Sequence, residues 1–203
     1  MDSDYFSSAY VAHAICRSWL SSSEKTTTGK APLPKHIVFT SSILALCPMI
    51  GYTQYTPTKI ALRGLSETLS QELQLYQHHT PIRPHCIFPA TIFSPGLEQE
   101  DKWKPAITKQ LEEGDDPGQT PEQVAAATLK ALERGDENIT TSFIATLVRT
   151  SILGGSTRNG WGILDTMLGW ITSVIMIFVR RGWDDKVRAW GVQNKMGLGG
   201  PAK

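Results

Sequence analysis

The stretch His36-Ile37-Val38-Phe39-Thr40-Ser41-Ser42, "HIVFTSS", opens on a β-branched and aromatic run and closes on small hydroxyl residues. Ile37, Val38 and Phe39 show no polar alternation, which is the pattern of a strand buried on both faces. Downstream, Leu62, Leu65, Leu69, Leu73 and Tyr76 return at helical steps and predict a helix from about Tyr55 to Gln77. Pro57 is tolerated at its start, because the first helical turn has no internal partner for the missing N–H. "PHCIFPA", residues 84–90, then reads as a second buried strand. Strand, helix and strand in succession leave room for a right-handed crossover, and the class is α/β.

The flanks extend this pattern. Phe6, Ala9, Tyr10, His13, Cys16, Trp19 and Leu20 predict an amphipathic helix over residues 4–20, with Ser3 or Asp4 as its cap. The polar segment 21–35 reads as a surface loop. Thr120-Pro121-Glu122-Gln123 offers a cap, a first-turn proline and a reciprocal cap, so a helix runs from Pro121 to about Glu133. "NITTSFIATLV", residues 138–148, reads as a last strand, with helix as the alternative for its second half.

Composition excludes some classes. Twenty basic residues against 19 acidic ones leave a formal charge of +1, which disfavours a nucleic-acid partner. Cys16, Cys47 and Cys86 are too few and too dispersed for a disulfide framework or a metal site, and read as small apolar residues of a reducing compartment. The amino terminus has no secretory-signal pattern. His13, His36, His78, His79 and His85 show no metal-ligand spacing, so no metal is expected and solvated or capping roles are.

The chemistry gathers beside "HIVFTSS". Ser42 stands at the carboxyl end of the first strand, where open α/β sheets place their ligands. Tyr55 and Lys59, in "YTPTK", are four residues apart and share a helical face on the same rim. A cation beside a phenol favours the phenolate, which suits the pair to proton transfer. A serine hydroxyl opposite could orient a substrate carbonyl.

Ser42, Tyr55 and Lys59 in this order resemble the core of the short-chain dehydrogenase/reductases. More narrowly, residues 51–73 and 84–105 are similar to the 3-ketodihydrosphingosine reductases, and the likeness covers most of the chain after Lys35. The resemblance implies the carboxyl-terminal part of a Rossmann-like doubly wound parallel sheet. It also implies NADPH-dependent reduction of a long-chain sphingoid ketone at the cytosolic face of the endoplasmic reticulum. In that reading Tyr55 delivers the proton, Lys59 assists it and holds the nicotinamide ribose, and Ser42 polarises the ketone. Ala90, Thr91 and Ile92 match the loop that packs on the nicotinamide, and Ser94 a hydroxyl that meets the cofactor's phosphates. Asp4 stands where the family usually carries Asn. An ionised Asp only accepts hydrogen bonds, so a proton relay there would be altered, with helix capping as the rival role. No G-x-G-x-x-G occurs in the sequence, so the amino-terminal cofactor-binding half of such a fold is expected to be missing, with an inner strand edge exposed.

"WGILDTMLGWITSVIMIFVRR", residues 161–181, is a membrane candidate. Asp165 makes a full crossing marginal, and a re-entrant or interfacial helix is the alternative. Trp161, Trp170 and Trp183 suit headgroup depth, and Arg180 with Arg181 a cytosolic flank. The expected organisation is a partial reductase domain over residues 1–150 and a membrane-associating tail over 151–203, with membrane lipid and a second copy of the chain as candidate partners. The rival to catalysis is an inactive remnant acting only through interaction or membrane association.

Overall fold

The computed structural model describes residues 1–21, 33–78, 80–112 and 118–194. Three parallel strands, β1 (Lys35–Thr40), β2 (Ile82–Phe88) and β3 (Asn138–Thr140), lie in the order β1-β2-β3. Before the sheet comes α1 (Ser7–Ser21), and α2 (Thr56–Glu72) connects β1 to β2. Between β2 and β3 run α3 (Pro95–Trp103), α4 (Ala106–Glu112) and α5 (Pro121–Arg134). The chain ends in α6 (Phe143–Ser151) and a 31-residue α7 (Ile163–Gln193). A Rossmann-like parallel sheet, as the sequence predicts, organises the fold.

The central strand explains the core. Ile82, Cys86 and Phe88 point to one face of β2 and pack with Ile37 and Phe39 of β1, Leu62 of α2, and Ala12 and Cys16 of α1. Ile87 points to the other face, against Ala131 of α5 and Ile139 of β3. Each fully buried side chain of this size contributes about 1.5–3 kcal/mol. In this surrounding, burial pushes the Cys86 thiol up to about 12.

β1 departs from expectation. Ile37 and Phe39 are buried but Val38, between them, is 41% exposed, so the strand is covered on one face only. The reason is lateral. The helix that covers the second face, α5, packs over β2 and β3, and β1 lies at the edge of the described sheet. A cleft of about 420 Å³ runs between β1 and α1.

Two further expectations are corrected. Neither Ser3 nor Asp4 caps the first helix: a wider turn over Asp2–Phe6, closed by the Tyr5 and Phe6 N–H groups on the Met1 carbonyl, leads into α1. His85 is neither solvated nor a cap, since it is 1% exposed, with Nδ1 2.8 Å from the Asp136 carbonyl and Nε2 2.9 Å from His36 Nδ1. The loop expected over 21–35 and His79 lie mostly or wholly outside the described residues. Conversely, the Thr120–Gln123 capping box is present in full, and Gly135, at φ +81°, ends α5 in the left-handed conformation that glycine adopts without strain. Tyr76 falls off the leucine stripe at 42% exposure, because the chain tightens into a 3₁₀ turn over Leu73–Tyr76.

α7 packs on α6 along small residues. A Cβ at Gly169 would sit 2.8 Å from the Thr150 carbonyl oxygen, and the Thr150 and Thr172 hydroxyls are 3.1 Å apart. Arg149 donates to Asp165 at 2.8 Å, and Arg180 to the Pro48 carbonyl at 3.3 Å. Asp165 thus lies at the amino-terminal turn of a long apolar helix, paired with the domain, and not at the centre of a span. By length and composition α7 could cross a membrane.

Candidate active site

The carboxyl ends of β1 and β2 are held side by side beyond the strands themselves. Ser41 N–H donates to the Ile87 carbonyl at 2.9 Å and Ile43 N–H to the Pro89 carbonyl at 2.8 Å. Ser42, in extended backbone, accepts from Leu44 N–H at 3.2 Å and so begins a short 3₁₀ turn over Ile43–Ala45. The neighbouring Ser41 hydroxyl donates to the Lys59 carbonyl at 2.8 Å, tying the strand end to α2.

Tyr55 stands immediately before α2, after a turn closed by Tyr55 and Thr56 N–H on the Tyr52 carbonyl. Pro57 falls in the first turn of the helix, where its missing donor costs nothing. Lys59, one turn on, points inward with a side chain only 11% exposed. Its ammonium donates to the Thr40 carbonyl at 3.3 Å and lies 5.2 Å from the centre of the Tyr55 ring. A third contact comes from the amino terminus: Asp4 Oδ1 is 3.2 Å from Lys59 Nζ, while Asp4 Oδ2 accepts from Thr58 at 3.4 Å.

After β2, the loop Ala90-Thr91-Ile92 is pinned by Gln119. Gln119 N–H donates to the Thr91 carbonyl at 2.8 Å, and Phe93 N–H to the Gln119 carbonyl at 2.9 Å. Ser94 then caps α3, accepting from Leu97 N–H at 3.3 Å.

Ser42, Tyr55, Lys59, Ala90, Thr91, Ile92 and Ser94 all line one cavity of about 770 Å³. Asp4 does not line it. It approaches Lys59 from the cleft beside β1, so the one ammonium is shared between two openings.

Sequence reasoning missed a second polar group on the cavity wall. Tyr52 donates to Glu100 at 2.6 Å and Glu112 at 2.8 Å, and Lys104 Nζ lies 2.7 Å from Glu112, 3.1 Å from Asp101 and 3.3 Å from Glu100. Burial, then the two carboxylates, raise the Tyr52 phenol well above its ordinary range. Burial disfavours the Lys104 ammonium, but its hydrogen bonds to Glu112 and Asp101 outweigh this and hold the group above the usual lysine range. Glu100, Asp101 and Lys104 share one helical turn, a spacing visible in the sequence, but only the tertiary fold brings Tyr52 and Glu112 to them. The cavity's far wall was legible in principle. Thr172, Met176, Val179 and Trp183 of α7 recur at three- and four-residue steps and face it.

A family model described as short chain dehydrogenase matches residues 30–105, the segment that carries β1, α2, β2 and α3. The 3-ketodihydrosphingosine reductase of Neurospora crassa is 44% identical over 190 residues, covering 94% of this chain and 51% of that protein. Its counterpart from Aspergillus fumigatus is 39% identical over 206 residues, covering 96% of this chain and 55% of the relative. This chain belongs to the short-chain dehydrogenase/reductases. It spans about half the length of the curated relatives it matches. Among solved structures, a short chain dehydrogenase/reductase from Burkholderia phymatum in complex with NAD aligns with TM-score 0.45 and 23% identity, over 57% of this chain and 46% of that one. Within the family, the likeness to sphingoid-ketone reductases extends through α5 and into α7, beyond the segment that the family model matches.

Proposed function

We propose that this chain carries the proton-transfer and substrate-binding part of an NADPH-dependent reductase of 3-ketodihydrosphingosine, a long-chain sphingoid ketone. The observation that carries the reading is the convergence of Ser42, Tyr55 and Lys59 on one cavity whose opposite wall is apolar. The cavity lies in the size range of small-molecule sites, about 300–1,000 Å³.

The residues present fit the nicotinamide end of such a dinucleotide. Lys59 offers an ammonium beside Tyr55, the Ala90–Ile92 loop offers a small, backbone-rich surface, and the α3 amino terminus opens into the cavity at Ser94 and Gly96. When bound, the cofactor supplies a hydride to the ketone carbon. Ser42 donates a hydrogen bond to the ketone oxygen and orients it. Tyr55 gives its phenolic proton to that oxygen as charge develops there, and the product is a secondary alcohol. Lys59 offsets the charge left on the phenolate, held in place by the Thr40 carbonyl. Asp4 tempers that ammonium from behind.

In this reading residues 1–150 form the reductase part and residues 151–203 attach it to the cytosolic face of the endoplasmic reticulum membrane, α7 being the apolar element. The decisive experiment incubates the chain with NADPH and a short-chain 3-ketosphinganine. Cofactor oxidation that Tyr55→Phe abolishes supports the reading, and absence of both turnover and NADPH binding overturns it. The latter result would favour a second reading, action by interaction alone through the β1 edge, which is unpaired among the described residues.

A further inference from the structure

α7 carries two apolar faces with different neighbours. Its outer face exposes Leu164, Met167, Trp170, Ile171, Val174 and Phe178, Trp170 to 75%. Its inner face begins as close packing on α6 at Gly169 and Thr172, then presents Ile175, Met176 and Val179 to the cavity that holds Tyr55 and Ser42. Opposite them on the same wall stand Ile144, Leu147 and Val148 of α6. Ile175 belongs to both surfaces, since it lines the cavity and is 51% exposed. The cavity therefore runs from the hydroxyl groups at the strand ends to the exposed apolar face of α7.

This wall selects its occupant by chemistry. From Ile175 to Val179 it is wholly apolar, and the Thr172 hydroxyl at its start already donates to the Leu168 carbonyl at 2.9 Å. A cofactor's phosphates or ribose would lose their water here without replacement. An aliphatic chain loses nothing. We propose that the inner face of α7, with α6, is the channel for the alkyl chain of the ketone substrate, opening at Ile175 so that the chain passes sideways from lipid while its keto end reaches Ser42 and Tyr55. The assignment rests on the ketone-reductase reading for the identity of the head that enters, but the channel can be tested without turnover.

α7 is fixed to the domain at both ends of this wall, through Asp165 to Arg149 and through Arg180 to the Pro48 carbonyl. Those anchors are 15 residues apart, about 22 Å of helix. In the proposed arrangement, a helix held against its domain over that length lies along the membrane surface with its outer face in lipid.

The test uses the whole chain on lipid vesicles with a long-chain 3-ketone bearing a diazirine at the chain terminus. Photolysis followed by peptide mapping is expected to place the label on Ile175, Met176 or Val179. Label confined to the outer residues Ile171, Val174 and Phe178 overturns the channel. In aqueous solution, KM for a homologous ketone series is expected to fall about fourfold per added methylene, the effect of burying each one. Met176→Trp and Val179→Trp should block the channel, raising KM for long ketones more than tenfold and collapsing the ratio between long and short, whereas Val174→Trp on the outer face leaves that ratio unchanged. A chain-length dependence that survives both channel variants overturns the proposal. Inner-face labelling with neither ketone turnover nor NADPH binding would uphold the channel and sink the reductase reading instead.

Discussion

The Asp4 carboxylate lies 3.2 Å from the Lys59 ammonium, on the side away from the cavity that Lys59 shares with Tyr55. A negative charge at that distance competes with the developing phenolate for the same cation. Asp4→Asn removes the competitor and keeps the shape, so the ketone-reduction kcat/KM is expected to rise a few-fold, about 1 kcal/mol in the barrier. Asp4 is 33% exposed at its side chain, and solvent screens the pair, so the change in stability should stay within about 1 kcal/mol. Steady-state kinetics of the two proteins decide it, and a lower kcat/KM in the variant would reverse the assigned role.

Lys59 and Tyr55 should separate in kinetics. Tyr55→Phe removes the proposed proton donor alone, and turnover is expected to fall at least 100-fold, in the range of general acid catalysis, with NADPH affinity within a few-fold of the unmodified chain. Lys59→Met removes the charge proposed to support both steps, and should weaken turnover and NADPH affinity together. Titration of NADPH fluorescence beside a turnover assay distinguishes the pair. Equal losses of affinity in both variants would show that the two residues act only as structure.

Much of this geometry was legible because it is local. Ser42 follows a hydrophobic run, and Tyr55 and Lys59 are one helical turn apart, so strand end and helix start can be placed from spacing. The one-sided burial of β1 was not legible, because Val38 differs from Ile87 only in whether α5 passes above it. Nor was Asp4, whose partner lies 55 residues away and whose sequence context reads equally well as a cap. The contacts of Tyr52 with Glu100 and Glu112 have the same character, although Glu100 and Lys104 are one helical turn apart. α7 is intermediate. Its apolar length is plain in the sequence, but its division into an exposed apolar face and a cavity face becomes visible only once α6 is packed on Gly169 and Thr172.

Stability should fall below neutral pH through His85. Burial, ahead of every other cause, holds its imidazole below the ordinary histidine range, and its two ring nitrogens face the Asp136 carbonyl and His36. His36 and Arg83 also oppose a charge there, while the Asp136 carbonyl and Glu137 favour one, and the sum is downward. Above about pH 6.5 both folded and unfolded forms are neutral, and the residue adds no pH dependence. As pH falls below that value the unfolded chain takes up a proton that the folded chain resists, so stability declines until the lower folded pKa is passed. Chemical denaturation between about pH 5 and 8 should show this slope, and His85→Gln should flatten it. An unchanged slope in the variant would assign the effect elsewhere.

The seating of α7 depends on one buried ion pair. Arg149 and Asp165 are 2.8 Å apart with side chains 4% and 12% exposed, and Asp165 also accepts from Asn159 N–H at 2.9 Å. Burial alone would raise the Asp165 carboxyl, but the hydrogen bonds from Arg149 and Asn159 outweigh it and hold the group below the usual carboxylate range. Breaking such a pair from one side is the costly operation, because it leaves the other charge buried without a partner. Asp165→Asn is therefore expected to destabilise the chain by about 3 kcal/mol, and Arg149→Met with Asp165→Leu together by much less, since no charge is then stranded. Gly169→Leu attacks the same contact sterically: even its first carbon would meet the Thr150 carbonyl oxygen at 2.8 Å, at a cost of about 1–3 kcal/mol. If α7 is the wall of the alkyl channel, Asp165→Asn and Gly169→Leu should also weaken the dependence of KM on ketone chain length, in proportion to their effect on stability. Thermal melts and the ketone series measured on the same preparations test that link. Destabilisation without any change in chain-length dependence would place α7 outside the substrate's path.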